Sequence, residues 1–141
     1  MRNEFSIRFL APTHQSVSRC AVIGRYLAEA LRQTELNEQV WVVSVDDEGT
    51  PNGRVRCHPG QLGESSIYLR PLLQAMLRTN TTQFVVVHYG VGDVAARELA
   101  ALLAYQMLRR LEAMAGFSLL DYILADNLNG NVVFRSLNDD G

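Results

Sequence analysis

Gln83-Phe84-Val85-Val86-Val87-His88-Tyr89-Gly90-Val91-Gly92-Asp93 is the stretch on which the fold turns. Its first six residues, QFVVVH, are apolar almost throughout, which predicts a strand buried on both faces. Tyr89 to Gly92 then reads as a glycine-bearing loop leading into a long helix. The spacing of Leu99, Leu103, Met107, Leu111 and Met114 predicts that this stripe is the apolar face of that helix. After Gly116 two strands are expected, Ser118 to Ala125 and Val132 to Ser136, with the turn dipeptide Asn129-Gly130 between them. The helix is thus followed by an apparent hairpin and not by a parallel repeat.

Towards the N-terminus, Cys20, Ile23, Leu27 and Leu31 fall three or four apart and predict a helix from Ser16 to Gln33, with Ser16 as N-cap. Gln39 to Val45 is β-branched and aromatic and reads as a strand. Asp47, Gly49, Pro51, Asn52 and Gly53 mark a turn over Asp46 to Gly53, and Arg54 to His58 returns as a second strand. Leu69, Leu72, Leu73, Met76 and Leu77 mark another helix, with Pro71 in its first turn. Trp41 and Phe84 read as core, and Arg109 and Arg110 as the polar face of the long helix. The sum is an α/β domain with a mixed central sheet flanked by helices. No linker or repeat divides residues 1–141, so one domain is expected.

Composition narrows the function classes. The chain is 48% apolar and 20% charged, ordinary for a globular domain. Its net charge of −2 gives no case for nucleic-acid binding, which depends on phosphate neutralisation. No apolar run approaches the roughly 20 residues of a membrane span. Met1 to Phe9 carries charges within its apolar stretch and reads poorly as a signal peptide. Cys20 and Cys57 form no metal-spaced pair, and a cytoplasmic protein is expected.

Two chemistries compete at the loop after the buried strand. Gly90-Val91-Gly92-Asp93-Val94-Ala95 satisfies G-x-G-x-x-[GA], a pattern whose backbone N–H groups can meet a pyrophosphate. Nucleotide fingerprints, however, usually follow the first strand of a βαβ unit, and no acidic residue about 20 positions on is well placed. Alternatively, His88 closing a buried strand is a sensible place for zinc, given two further protein ligands and a water.

The segment Glu38 to Asp121 resembles the RadC-type JAB/MPN domain, a metalloprotease-like (JAMM) family of cytidine-deaminase-like architecture. Glu38 falls at the family's Glu, Gly60-Gln61-Leu62 at its turn, Arg70 at its Arg, Asn80 at its Asn, His88 at its first metal-ligand His and Leu120-Asp121 at its Leu-Asp. The departures are in the chemistry. Gly90 stands at the second ligand His, Ala101 at the ligand Asp, Val91-Gly92-Asp93 at Pro-Ser-Gly and Tyr122 at the His after Leu-Asp.

On this resemblance Glu38 and Asp121 are vestiges, the one of a general base and the other of a supporting carboxylate. His88 is the remaining metal ligand. One imidazole holds zinc poorly, and glycine and alanine have no donor atoms. Without the metal no water has its pKa lowered towards roughly 7. No cofactor is therefore expected. The resemblance implies a silent JAB/MPN module that works through a protein partner, with homodimerisation open and no established link to DNA repair. The enzyme alternative is a hydrolase with zinc relocated to His88, Glu98, Asp93 and His58. The plainer roles of the last three are a solvated helix residue, an N-cap and a strand-end side chain. A nucleotide module at Gly90 to Gly92 is the remaining alternative.

Overall fold

The computed structural model describes residues 4–8, 19–32, 38–57, 69–79 and 81–138. The elements are β1 (Glu4–Arg8), α1 (Arg19–Arg32), β2 (Glu38–Val45), β3 (Pro51–Cys57), α2 (Leu69–Arg78), β4 (Gln83–Val91), α3 (Val94–Ala115), β5 (Ser118–Leu128) and β6 (Asn131–Ser136). The six strands form one sheet in the order β1-β6-β5-β4-β2-β3. β4 and β5 pair in parallel and every other pair is antiparallel. The expected mixed α/β sheet with flanking helices is present.

Alternation along the strands divides the core in two. Trp41, Val43, Val85, Val87 and Ile123 pack with Cys20, Ile23, Leu27 and Leu31 of α1 on one face. Val40, Val42, Phe84, Val86, Tyr122 and Leu124 pack with α2 and α3 on the other. A sheet covered on both sides needs apolar residues at successive positions, which is why β4 reads as a continuous run. Trp41 and Phe84 are core, as expected.

Several boundaries move. β4 runs three residues past His88, so Tyr89 and Gly90 belong to the sheet and the link to α3 is only Gly92 and Asp93. Both residues adopt positive φ, 69° and 46°, which turns the chain sharply from strand to helix. β3 begins at Pro51 instead of Arg54, and the turn shortens to Asp46–Thr50. The Asp46 carboxylate accepts there from the N–H groups of Glu48 and Thr50. Pro51 is tolerated because β3 is an edge strand. Asn129 and Gly130, both at positive φ, join β5 to β6 as a two-residue hairpin. β5 also runs parallel to β4, so the apparent hairpin hid a βαβ unit, β4-α3-β5.

The largest correction concerns α3. Its buried face is Arg97, Ala101, Ala104 and Leu108, not the expected stripe. Leu99, Leu103, Met107 and Met114 are 62%, 55%, 46% and 83% exposed. Ala101 and Ala104 face the sheet because small residues let the helix lie close to it; Leu99, Leu103, Met107 and Met114 are left outside. Ser16 and Asn80 lie outside the described residues, as does the turn 60–62. Among the described residues no helix is long and apolar enough to cross a membrane.

Candidate functional site

Register places the site at one end of the sheet. Glu38 of β2 stands opposite Gly90 of β4, and Gly90 opposite Asp126 of β5. Side chains alternate along a strand, so these three share a face with Val40, His88 and Leu124 in the next row inward. A glycine between two carboxylate residues leaves a gap in that row. Arg97, in the first turns of α3, fills it.

A Cβ placed on Gly90 would lie 2.5 Å from Arg97 Cζ and 2.8 Å from Cδ, so the arginine side chain occupies the volume that any side chain at position 90 would need. The guanidinium is almost fully buried and satisfied. Nε and Nη2 donate to Asp126 Oδ1 at 3.1 and 2.6 Å, and Nη1 donates to the Gly92 carbonyl at 2.7 Å. Asp126 Oδ2 accepts from Arg135 at 3.3 Å, and Arg135 donates to Glu98 at 2.7 Å. The chain Arg97–Asp126–Arg135–Glu98 alternates in sign, as buried charges must if their desolvation is to be offset.

Beside this network His88 is completely buried, with Nε2 2.7 Å from Glu38 Oε2. That hydrogen bond holds the Glu38 carboxyl below its ordinary value; partial burial works against it, and the charges of His88 and Arg97 add to the lowering. His88 Nδ1 is buried without a partner among the described residues.

Further along β5, Asp121 is fully buried. The Ser136 hydroxyl lies 2.7 Å from both its oxygens, the Tyr122 N–H donates to Oδ1 at 2.8 Å, and Arg19 stands 3.7 Å away. Burial raises its pKa, and these partners oppose the rise. Such partners give a structural account of a carboxylate inside an apolar strand. Tyr122 is fully buried, its hydroxyl has no partner among the described residues, and burial drives its pKa well up. Burial also pushes the Cys57 thiol to about 11, so it is a poor nucleophile.

The structure therefore brings Glu38 and His88 together, while Glu98 is engaged by Arg135. Asp93 occupies the N-cap position of α3 in a left-handed conformation, and its side chain makes no capping bond, contrary to the expected role. Glu98 is not simply solvated: it is half-buried against Arg135. His58 lies outside the described residues. Gly90 is a ladder residue of β4 and not part of a loop, so its backbone is turned to neighbouring strands and not to a phosphate cradle.

Sequence reading passed over Arg97, Asp126 and Arg135. Only Arg97 left a signal: it shares a helical spacing with Ala101, Ala104 and Leu108, and a buried arginine needs an acid, though the sequence does not say which.

Zinc needs three protein donors converging on one point. Gly90 and Ala101 supply none, and among the described residues no three His, Cys, Asp or Glu side chains gather closely enough to hold a metal ion. The donors present do not fit zinc.

A mixed sheet with a helix between two parallel strands, and a Glu–His pair at the helix-facing end of β2 and β4, define a JAB/MPN-like α/β domain. The family model described as RadC-like JAB domain matches residues 17–140, and the chain belongs to that family. No curated protein matches the chain.

Proposed function

We propose that this chain is one RadC-like JAB domain that no longer carries zinc-dependent hydrolysis and acts through protein contacts. One observation carries the reading: the remaining candidate ligand and the remaining candidate base, His88 and Glu38, are bonded to each other at 2.7 Å. A hydrolase of this family type needs the imidazole on a metal and the carboxylate on that metal's water. Here the Glu38 carboxylate takes up His88 Nε2. Both thiols are buried and unlinked, which fits a reducing compartment, and the reading places the chain in the cytoplasm.

The test is metal content after zinc loading and exhaustive dialysis, for wild type and His88→Ala. Near-zero zinc in both is expected. Stoichiometric zinc in the wild type, lost in the variant, overturns the reading and restores a hydrolase with a relocated site.

The partner we assign is a second copy, docked through the exposed apolar face of α3. Arg109 and Arg110 are the only charged residues among the exposed positions of that helix. A parallel pair would set them side by side, whereas an antiparallel pair crossing at Leu103 separates them. That crossing sets Leu99 against Met107 and carries Arg110 to Ala96, one turn from the exposed Asp93 of the other copy. Sedimentation should show a weak dimer that Leu103→Glu dissociates. Arg110→Asp should weaken it, and adding Asp93→Arg should restore it. A wild-type chain that stays monomeric at all concentrations sinks this assignment.

A further inference from the structure

We infer that the outer edge of β3 is a docking site for an extended peptide segment whose successive side chains run acidic, apolar, acidic. The site lies away from the α3 face assigned to the second copy, and it goes beyond that assignment by naming a partner of different chemistry.

β3 is the last strand of the sheet and pairs only with β2 among the described residues. An edge strand turns the N–H and C=O groups of alternate residues away from its neighbour, where an added strand can bond to them. The register shift between Ser44 and Val45 ends the regular ladder at Gly53, so the straight part of this edge is Gly53 to Cys57. Pro51, which has no N–H, lies before it.

Side chains divide this edge into two rows. Arg54 stands opposite Val43 and Arg56 opposite Trp41, so both arginines lie on the α1 face of the sheet. Val55 stands opposite Val42 and packs, half-buried, against the core on the other face. None of the ion pairs among the described residues uses either arginine. Arg54 is nonetheless held in place. Its Cζ lies 5.4 Å from the centre of the Tyr26 ring and 5.9 Å from that of Trp41, and Nη1 donates to the Tyr26 carbonyl at 3.2 Å. An arginine fixed in this way loses little freedom on binding and keeps further N–H groups for a carboxylate.

Charge selects the occupant. Paired antiparallel about Val55, the β3 of a second copy would set Arg54 against Arg56 twice, and like charges directly opposite destabilise a sheet. A strand with Glu or Asp at those two positions makes the same contacts favourable. The side chain between them falls beside Val55, where an apolar residue fits. The turn residues Asp46, Asp47 and Glu48, at the Gly53 end, repel additional acids. Acid is therefore favoured at two alternate positions and not along a run.

The experiment is a fluorescence-anisotropy titration with two labelled peptides of equal charge, Thr-Thr-Glu-Val-Glu-Thr-Thr and Thr-Thr-Val-Glu-Glu-Thr-Thr. Amide hydrogen exchange reads main-chain pairing in the same samples. The alternating peptide is expected to bind about tenfold more tightly than the other and to slow exchange at alternate residues within Gly53 to Cys57. Arg56→Glu should weaken it about tenfold, and the charge-swapped peptide Thr-Thr-Lys-Val-Lys-Thr-Thr should bind the double variant Arg54→Glu with Arg56→Glu better than it binds wild type. If the double variant is recovered only unfolded, Arg56→Glu with the same swapped peptide is read in the same way. Equal binding of the two acidic peptides, or binding without exchange protection, overturns the inference. So does displacement of the peptide by a single-stranded oligonucleotide of equal charge, which would make the arginines a phosphate site. No binding of either peptide removes this site and leaves the α3 dimer standing, so the two failures are told apart.

Discussion

The Arg97 guanidinium occupies the volume above the Gly90 Cα, where a Cβ would come within 2.5 Å of Cζ. Gly90→Ala is therefore expected to cost about 3 kcal/mol, because an added carbon must displace a buried, ion-paired arginine. Gly92, two residues on, makes the control. Its φ of 69° strains any side chain, but nothing lies within 4 Å of its Cβ position. Gly92→Ala should cost only about 1 kcal/mol, the backbone penalty alone. Urea unfolding of both variants checks the pair. Equal costs would mean that the Arg97 side chain gives way cheaply and does not dictate glycine at position 90, whose φ lies outside the left-handed region.

Glu38 makes the fold sensitive to acid. Its folded pKa lies below the ordinary 4.5, so its contribution is present above that value and lost as pH falls through the folded pKa. Glu38→Gln keeps an oxygen that accepts from His88 Nε2 but has no proton to gain. The difference in melting temperature between wild type and variant should shrink below about pH 4.5. A difference that stays constant from pH 7 to pH 3 would show that the 2.7 Å contact carries no titrating charge.

Asp121 should slope the other way. Burial raises its folded pKa above the ordinary 3.8, so the folded state binds its proton more tightly than the unfolded chain does. Its charged form costs stability at neutral pH, and that cost fades as pH falls from the raised pKa towards 3.8. Wild type should therefore gain on Asp121→Asn as the solution is acidified. The same melts, compared with those of the Glu38 variant, give slopes of opposite sign. A slope of the same sign would mean that Ser136 and Arg19 outweigh burial and hold Asp121 as a stabilising anion.

How far the sequence could be read follows from what each signal encodes. The run QFVVVH gave a doubly buried strand because burial on both faces demands apolar residues at successive positions. Asn129-Gly130 gave its hairpin because two consecutive positive φ values favour those residue types. Glu38 and His88 are named through the family resemblance and not by a local pattern, and strand register brings them within bonding distance. The strand's continuation to Val91 was hidden by two glycines, which serve a turn and a crowded ladder position equally well. The Arg97–Asp126 pair was hidden for a different reason. Pairing between a helix and a strand 29 residues apart leaves no local pattern.

The face of α3 is where local pattern misled most, and a pair of truncations tests the correction. A helix that is apolar on two sides offers two readings of its core face, and size alone favours the stripe of large residues. Packing on a sheet favours the small ones at the point of closest approach, where Ala101 and Ala104 stand, and Leu108 adds bulk beyond them. Leu108 is fully buried among Val86, Tyr122 and Leu124, so Leu108→Ala should cost about 3 kcal/mol, through lost burial and the cavity it leaves. Leu103 is more than half exposed, and Leu103→Ala should shift stability of the isolated chain by about 0.5 kcal/mol or less. Chemical denaturation at low protein concentration separates this intrinsic effect from association. If Leu103 proves the costlier position under those conditions, the stripe is core after all, and the dimer assignment falls with it. If Leu108 is costlier there and Leu103 matters only as concentration rises, the small face packs the sheet and the large face meets the second copy.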